Sequence, residues 1–180
     1  MPVERGYAST MHRPTPLQFR VRQVRRFLCD EMLRGLGRRL RAAGYDTVIA
    51  AGGLPDRALA ARCAEEDRVL LTKDRHLAAT VTDAAQVVLL PKGGIDEAAR
   101  ALRIAVDIDW LHAPFTRCIV DNRPLEAAPP NSATQVPERS RAAGGPLQVC
   151  PECGRLYWSG GHVRRMQQLA AWQREAALPS

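Results

Sequence analysis

From Arg26 to Val106, short apolar runs alternate with longer stretches whose apolar residues recur at helical spacing. The run Phe27-Leu28-Cys29 is brief and unbroken, and it predicts a buried strand over Arg26–Cys29. Met32, Leu33, Leu36 and Leu40 then fall on one helix face, so a helix is predicted from Glu31 to Ala43, closed by Gly44. Thr47–Ala50 is β-branched and apolar and predicts a second strand, followed by a Gly52-Gly53-Leu54 loop. Pro55-Asp56 opens a helix through about Glu66, with Leu59 and Cys63 inward. A third strand at Val69–Thr72, a short helix at Arg75–Val81, a fourth strand at Gln86–Leu90 and a helix near Asp96–Val106 complete the series. This alternation predicts the α/β class: a small parallel sheet between helices, in three layers.

After Trp110 the pattern changes. Residues 122–149 are rich in Pro, Ala, Ser, Gly and Gln and read as a flexible insertion. It lies between Cys118 and Cys150-Pro151-Glu152-Cys153-Gly154. Leu156–Trp158 predicts a strand, and His162–Ala177 a closing helix with Met166, Leu169 and Trp172 near one face. At the other end, residues 1–25 carry Arg5, Arg13, Arg20, Arg22 and Arg25 against the single acid Glu4, and read as a mobile basic arm. Three parts follow: the arm at 1–25, an α/β domain at 26–110, and a zinc-ribbon-like region at 111–180 that contains the insertion and the closing helix.

The acids stand where this pattern ends its strands. Asp30 and Glu31 follow the first strand, Asp74 follows the third, and Asp56 opens the helix after the second. In a right-handed parallel sheet these ends share one edge, where open α/β sheets hold ligands. Carboxylates gathered there repel one another unless a cation sits among them, and Mg²⁺ or Mn²⁺ suits oxygen donors. Taken singly, each acid has a plainer account: Asp56 as a helix-start carboxylate, Glu31 as a first-turn acid, Asp74 as a turn residue. Matching strand-end contexts favour the metal site. Asp30 is the expected ligand and Glu31 its support, since adjacent residues at a helix start point in different directions. A phosphoacceptor receiver domain fits poorly, because the second strand ends in alanines and the βα units are too few.

Charge adds a partner. Lys and Arg number 26 against 19 Asp and Glu, for a net charge of +7, and only Lys73 and Lys92 are lysines. Arginine forks suit phosphate, so a nucleic acid is the expected partner. No apolar run is long enough to span a membrane, and Met1 to Gln23 has no apolar signal core. A cytoplasmic location is expected, and there disulfides are disfavoured. The 5 cysteines then need another account. Cys29 and Cys63 lie inside predicted elements and read as core thiols. Cys150 and Cys153 form a zinc knuckle by type, with Cys118 as third ligand. Asp121, three positions later, is the candidate fourth, with His162 and His112 as substitutes; a remnant knuckle without metal is the alternative.

The ordered set Phe27-Leu28-Cys29-Asp30-Glu31-Met32, Leu36 to Arg41, Gly44-Tyr45-Asp46, Asp56 to Leu59, Val69 to Arg75, Cys150 to Cys153 and Tyr157 to His162 with Met166 resembles the Mut7-C ribonuclease family, a branch of PIN-like nucleases. The resemblance covers about Arg25 to Met166. It implies a PIN-like nuclease core with a C-terminal zinc ribbon, and a metal-dependent endoribonuclease that cuts RNA, expected to be single-stranded. Asp30, Asp56 and Asp74 match the family's metal-binding, catalytic acids, with Mg²⁺ or Mn²⁺ as cofactor. Glu31, Arg34, Arg38 and Arg75 are expected to support them or position the RNA. Structural Zn²⁺ falls to Cys118, Asp121, Cys150 and Cys153. Two departures stand out: acids are sparse at Asp56-Arg57-Ala58, with Asp83 as the remaining candidate for a fourth, and Asp121 replaces a family cysteine. The alternative function is a non-catalytic RNA-binding or ribosome-associated module that keeps the fold.

Overall fold

The computed structural model describes residues 25–81, 83, 87–142, 145–158 and 163–175; the arm up to residue 24 and His162 lie outside them. Strands β1 (Arg26–Cys29), β2 (Thr47–Ile49), β3 (Arg68–Thr72) and β4 (Val87–Leu89) form one parallel sheet in the order β2-β1-β3-β4. Helices α1 (Arg34–Ala42), α2 (Asp56–Glu65), α3 (Arg75–Ala79) and α4 (Ile95–Val106) alternate with them, as the periodicity predicts. Side-chain alternation along β1 splits the core in two. Phe27 and Cys29 join Leu36, Leu40, Ala99 and Leu102 under α1 and α4. Leu28 and Leu70 pack on the other face with Leu59 and Cys63 of α2 and Leu77 of α3. Each such leucine contributes roughly 1.5–3 kcal/mol by leaving water.

The first helix starts later than its apolar spacing predicts. Glu31–Leu33 is a 3-10 turn, and α geometry begins only at Arg34. The cause is local: Asp30 caps the turn through Met32 N–H, and Leu33, at φ −99° and ψ 17°, breaks the helical path. The tighter turn rotates Met32 off the apolar face, and it is 72% exposed.

The stretch 122–149, where no periodicity is legible, carries structure of its own. Strand β5 (Glu126–Ala127), a 3-10 turn at Pro130–Gln135, helix α5 (Glu138–Ala142) and strand β6 (Gln148–Val149) lie within it. With β7 (Leu156–Tyr157), β5 and β6 make a small antiparallel sheet in the order β5-β6-β7. Strands of two residues are too short to show alternation. Helix α6 (Val163–Glu175) packs on α4 and α1. Trp172 of α6 meets Trp110 edge-on at 4.8 Å, and its indole N–H donates to Asp96 at 2.7 Å.

A polar network fastens the small sheet to the large one. Arg41 is buried at the end of α1 and donates to the carbonyls of Thr47, Ile119 and Val120. Asp46, just before β2, accepts from Arg68 at 2.9 Å and from Asn122 at 2.7 Å, while Asn122 Oδ1 accepts from Thr47 N–H. Gly44 has φ 98°, and a β-carbon there would collide with the Ala113 carbonyl, so the turn leaving α1 demands glycine.

Burial disfavours the Asp46 carboxylate, but the Arg68 and Asn122 hydrogen bonds outweigh it and hold its pKa below the usual range. A depressed folded-state pKa contributes stability that is present above the unfolded value of about 3.9 and lost as pH falls through the folded one. Asp46→Asn should therefore lower stability by about 2 kcal/mol at neutral pH, since Glu66 still pairs with Arg68. It should also flatten the loss of stability below about pH 4. Thermal midpoints measured against pH for both proteins check this.

Candidate functional site

The strand order makes β1 and β3 neighbours although the chain visits β2 between them. Connections leave β1 and β3 in opposite directions, so a crevice opens beyond their carboxyl ends. Asp30 follows β1 there, its N–H donating to the Leu71 carbonyl at 3.0 Å. Thr72, the last residue of β3, is wholly buried; its hydroxyl donates to Asp30 Oδ2 at 2.9 Å and accepts from Asp74 N–H at 2.9 Å. One hydroxyl thus ties the two strand-end acids together. Among the described residues, Asp30 Oδ1 receives only a long 3.4 Å contact, from Met32 N–H. Asp74 Oδ1 caps α3 by accepting from His76 N–H at 2.7 Å.

Asp56 is exposed in the first turn of α2, and among the described residues Asp30, Asp56 and Asp74 do not gather into a group of three at metal-ligating spacing. Asp83 lies in the segment leading into β4, where strands begin, so chain order puts it toward the opposite edge. Glu31 is exposed and faces Arg34 at 3.7 Å. Arg38 is exposed on α1 and Arg75 on the first turn of α3, next to Asp74. Thr72 joins the site through contacts that its place in the sequence does not announce. The sequence carries only a faint sign of it, a hydroxyl at a strand end two residues before an acid.

The second site borders the small sheet, since Cys150 directly follows β6. Ligand atoms of Cys118, Asp121, Cys150 and Cys153 all lie within 4.8 Å of one another, the one such group among the described residues. Two turns of the same design bring them together. Cys118 N–H donates to Arg123 and Cys150 N–H to Arg155, while Asn122 N–H donates back to Cys118 and Gly154 N–H to Cys150, at 2.8–3.0 Å. Both turns end in the left-handed region, at Asn122 (φ 66°) and Gly154 (φ 70°). Asp121 therefore occupies in the first turn the place that Cys153 holds in the second. Three sulfurs and one carboxylate oxygen fit a closed four-donor metal site. His112 is not part of it; it stacks on Tyr45, ring centroids 5.0 Å apart.

The surroundings favour a charged sulfur at Cys118. Burial opposes the thiolate, but the Tyr157 hydroxyl at 3.2 Å and the Asp121 and Val120 N–H groups hold its pKa below the ordinary value. The pattern of the chain places Tyr157 in a strand, but nothing in the sequence marks its hydroxyl. The Asp121 carboxylate beside Cys153 pushes that thiol up to about 12. Elsewhere, Cys29 is wholly buried and pushed up to about 12 by loss of solvation, which suits a core thiol.

Compared with known proteins, the chain is matched by the family model described as the Mut7-C RNAse domain, over residues 25–170. No curated protein and no solved structure matches it. No helix among the described residues is long and apolar enough to cross a membrane.

If the four ligand atoms act together, a divalent ion that saturates them will stabilise the fold by mass action. At a thousandfold excess over Kd the gain is about 4 kcal/mol, or roughly 10 °C in thermal midpoint. Chelator treatment of the purified protein should remove that increment, and Cys150→Ser should abolish the response. Differential scanning calorimetry with and without added metal reads both.

Proposed function

The chain belongs to the Mut7-C RNAse domain family, and from that premise we propose that it is a metal-dependent endoribonuclease with a PIN-like core. The observation that carries the reading is the pair of strand-end aspartates at the β1–β3 crevice, bridged by the buried Thr72 hydroxyl. The parts are a basic arm at 1–25, a nuclease domain at 26–110 and a zinc-ribbon region at 111–180. The substrate is RNA, in single-stranded form, and the place of action is the cytoplasm.

Thr72 fixes the Asp30 carboxylate through Oδ2, while Oδ1 has its long contact with Met32 N–H. Capping of α3 fixes Asp74 through Oδ1. Two held carboxylates presenting oxygen atoms suit Mg²⁺ or Mn²⁺, which are commonly bound by one or two carboxylates together with water and substrate phosphates. Such an ion, when bound, activates water and offsets charge on the phosphate. Asp56 would approach from the start of α2. Arg34, Arg38 and Arg75 would hold phosphate oxygens, and Glu31 would restrain Arg34. In the ribbon, Cys118, Asp121, Cys150 and Cys153 would hold a structural Zn²⁺.

Another reading, a non-catalytic RNA-binding or ribosome-associated module, draws on the failure of the three aspartates to form a ligating group. The two separate cleanly. With labelled single-stranded RNA and Mn²⁺, the wild type should cut, Thr72→Val should be about 10–100-fold slower, and Asp30→Asn slower still. Equal cleavage by wild type and Asp30→Asn would remove Asp30 from the mechanism. RNA binding without metal-dependent turnover would select the module.

A further inference from the structure

Tyr157 ends β7 and is 1% exposed, and its hydroxyl reaches across to the first knuckle. Ile119 N–H donates to that hydroxyl at 3.0 Å. The hydroxyl carries a single proton, which it donates to Cys118 Sγ at 3.2 Å. Val120 and Asp121 N–H groups each point at the same sulfur from 3.4 Å. Three donors therefore converge on Cys118 Sγ. Two belong to its own turn, and the third comes from the strand beyond the second knuckle.

The arrangement is braced on both sides. Tyr157 is held by its pairing with Gln148 in the small sheet. Opposite it, buried Arg41 of α1 donates to the carbonyls of Ile119 and Val120. The turn that carries Cys118 is thus clamped between α1 and β7. If the sulfur swung away, the buried Tyr157 hydroxyl would lose its acceptor, which opposes that motion. Cys118 is itself fully buried, whereas Cys153 is exposed. A sulfur that ligates a metal does so as a thiolate, and a buried thiolate needs donors to take up part of its charge. Groups that orient a ligand and share its charge tune how tightly a metal is held.

Resting on the reading of Cys118, Asp121, Cys150 and Cys153 as a metal site, we infer that Tyr157 is a positioning residue for that metal. Its hydroxyl keeps Cys118 Sγ aimed at the ion and shares the charge of the thiolate.

The test loads the full chain with Co²⁺, which accepts the same tetrahedral donors as Zn²⁺ and reports thiolate bonds by a charge-transfer band. Tyr157→Phe keeps the ring and removes only the hydroxyl. It should weaken metal binding about 10–100-fold, read by competition with a chromophoric chelator. It should also move the thiolate-to-cobalt band to lower energy, because the sulfur no longer shares its charge. If Tyr157→Phe fails to fold, 3-fluorotyrosine encoded at position 157 keeps the shape and makes the hydroxyl a stronger donor, so the band should move to higher energy. Tyr45→Phe removes a hydroxyl that bonds the backbone of Asp109, away from the ligands, and should leave the band in place. The band decides. If it stays unmoved in the Tyr157 variants while the wild type binds Co²⁺ through thiolates, Tyr157 serves packing only, whatever the affinity does; the inference is overturned and the metal site stands. A wild type without a thiolate-to-cobalt band overturns both.

Discussion

The position of β1 at the centre of the parallel sheet constrains nearly everything else. Cys29 pairs with Ile49 on one side and Leu71 on the other, so the ends of three strands are aligned at one level. Both faces of β1 are buried, and a slip of one residue would exchange Phe27 and Cys29 with Leu28 between two differently shaped cores. Register here cannot drift. That is why Asp30 emerges opposite Thr72, where a single hydroxyl can reach both it and the backbone of Asp74.

The small antiparallel sheet depends on the large one in turn. Its strands of two residues cannot build a core of their own, and strands this short gain little from their ladders. Its buried groups, Cys118, Cys150 and Tyr157, join the same apolar cluster as Phe27, Leu102 and Trp110. Asn122 serves two purposes at the junction. Its backbone takes the left-handed conformation that closes the first knuckle, and its amide bridges Asp46 and Thr47 at the start of β2. Glycine could close the turn equally well, but it could not make the bridge.

The two knuckles show how one turn can carry two different donor atoms. The backbone hydrogen bonds around Cys118 and around Cys150 are the same, although one turn ends Asp121-Asn122 and the other Cys153-Gly154. The turn is defined by its donors, its acceptors and one residue at positive φ, and both Asn and Gly tolerate that conformation. Aspartate in one turn and cysteine in the other therefore differ in donor atom while the chain follows the same path.

Periodicity alone determined the βαβ order, because strands of apolar runs and helices of one-sided spacing differ in repeat, and repeat is a local property. It also placed Asp30 and Asp74 at strand ends, and composition made Cys118, Asp121, Cys150 and Cys153 a candidate cluster. Tertiary structure decided which of these meet. Pairing of β1 with β3 set Thr72 between two acids while Asp56, on α2, stayed exposed. The ribbon strands, the Tyr157 hydroxyl against Cys118, and the hydrogen bond from Arg39 of α1 to Gln168 of α6 all join residues remote in sequence. Sequence period carries no record of such contacts, because they arise only when separate elements share one core.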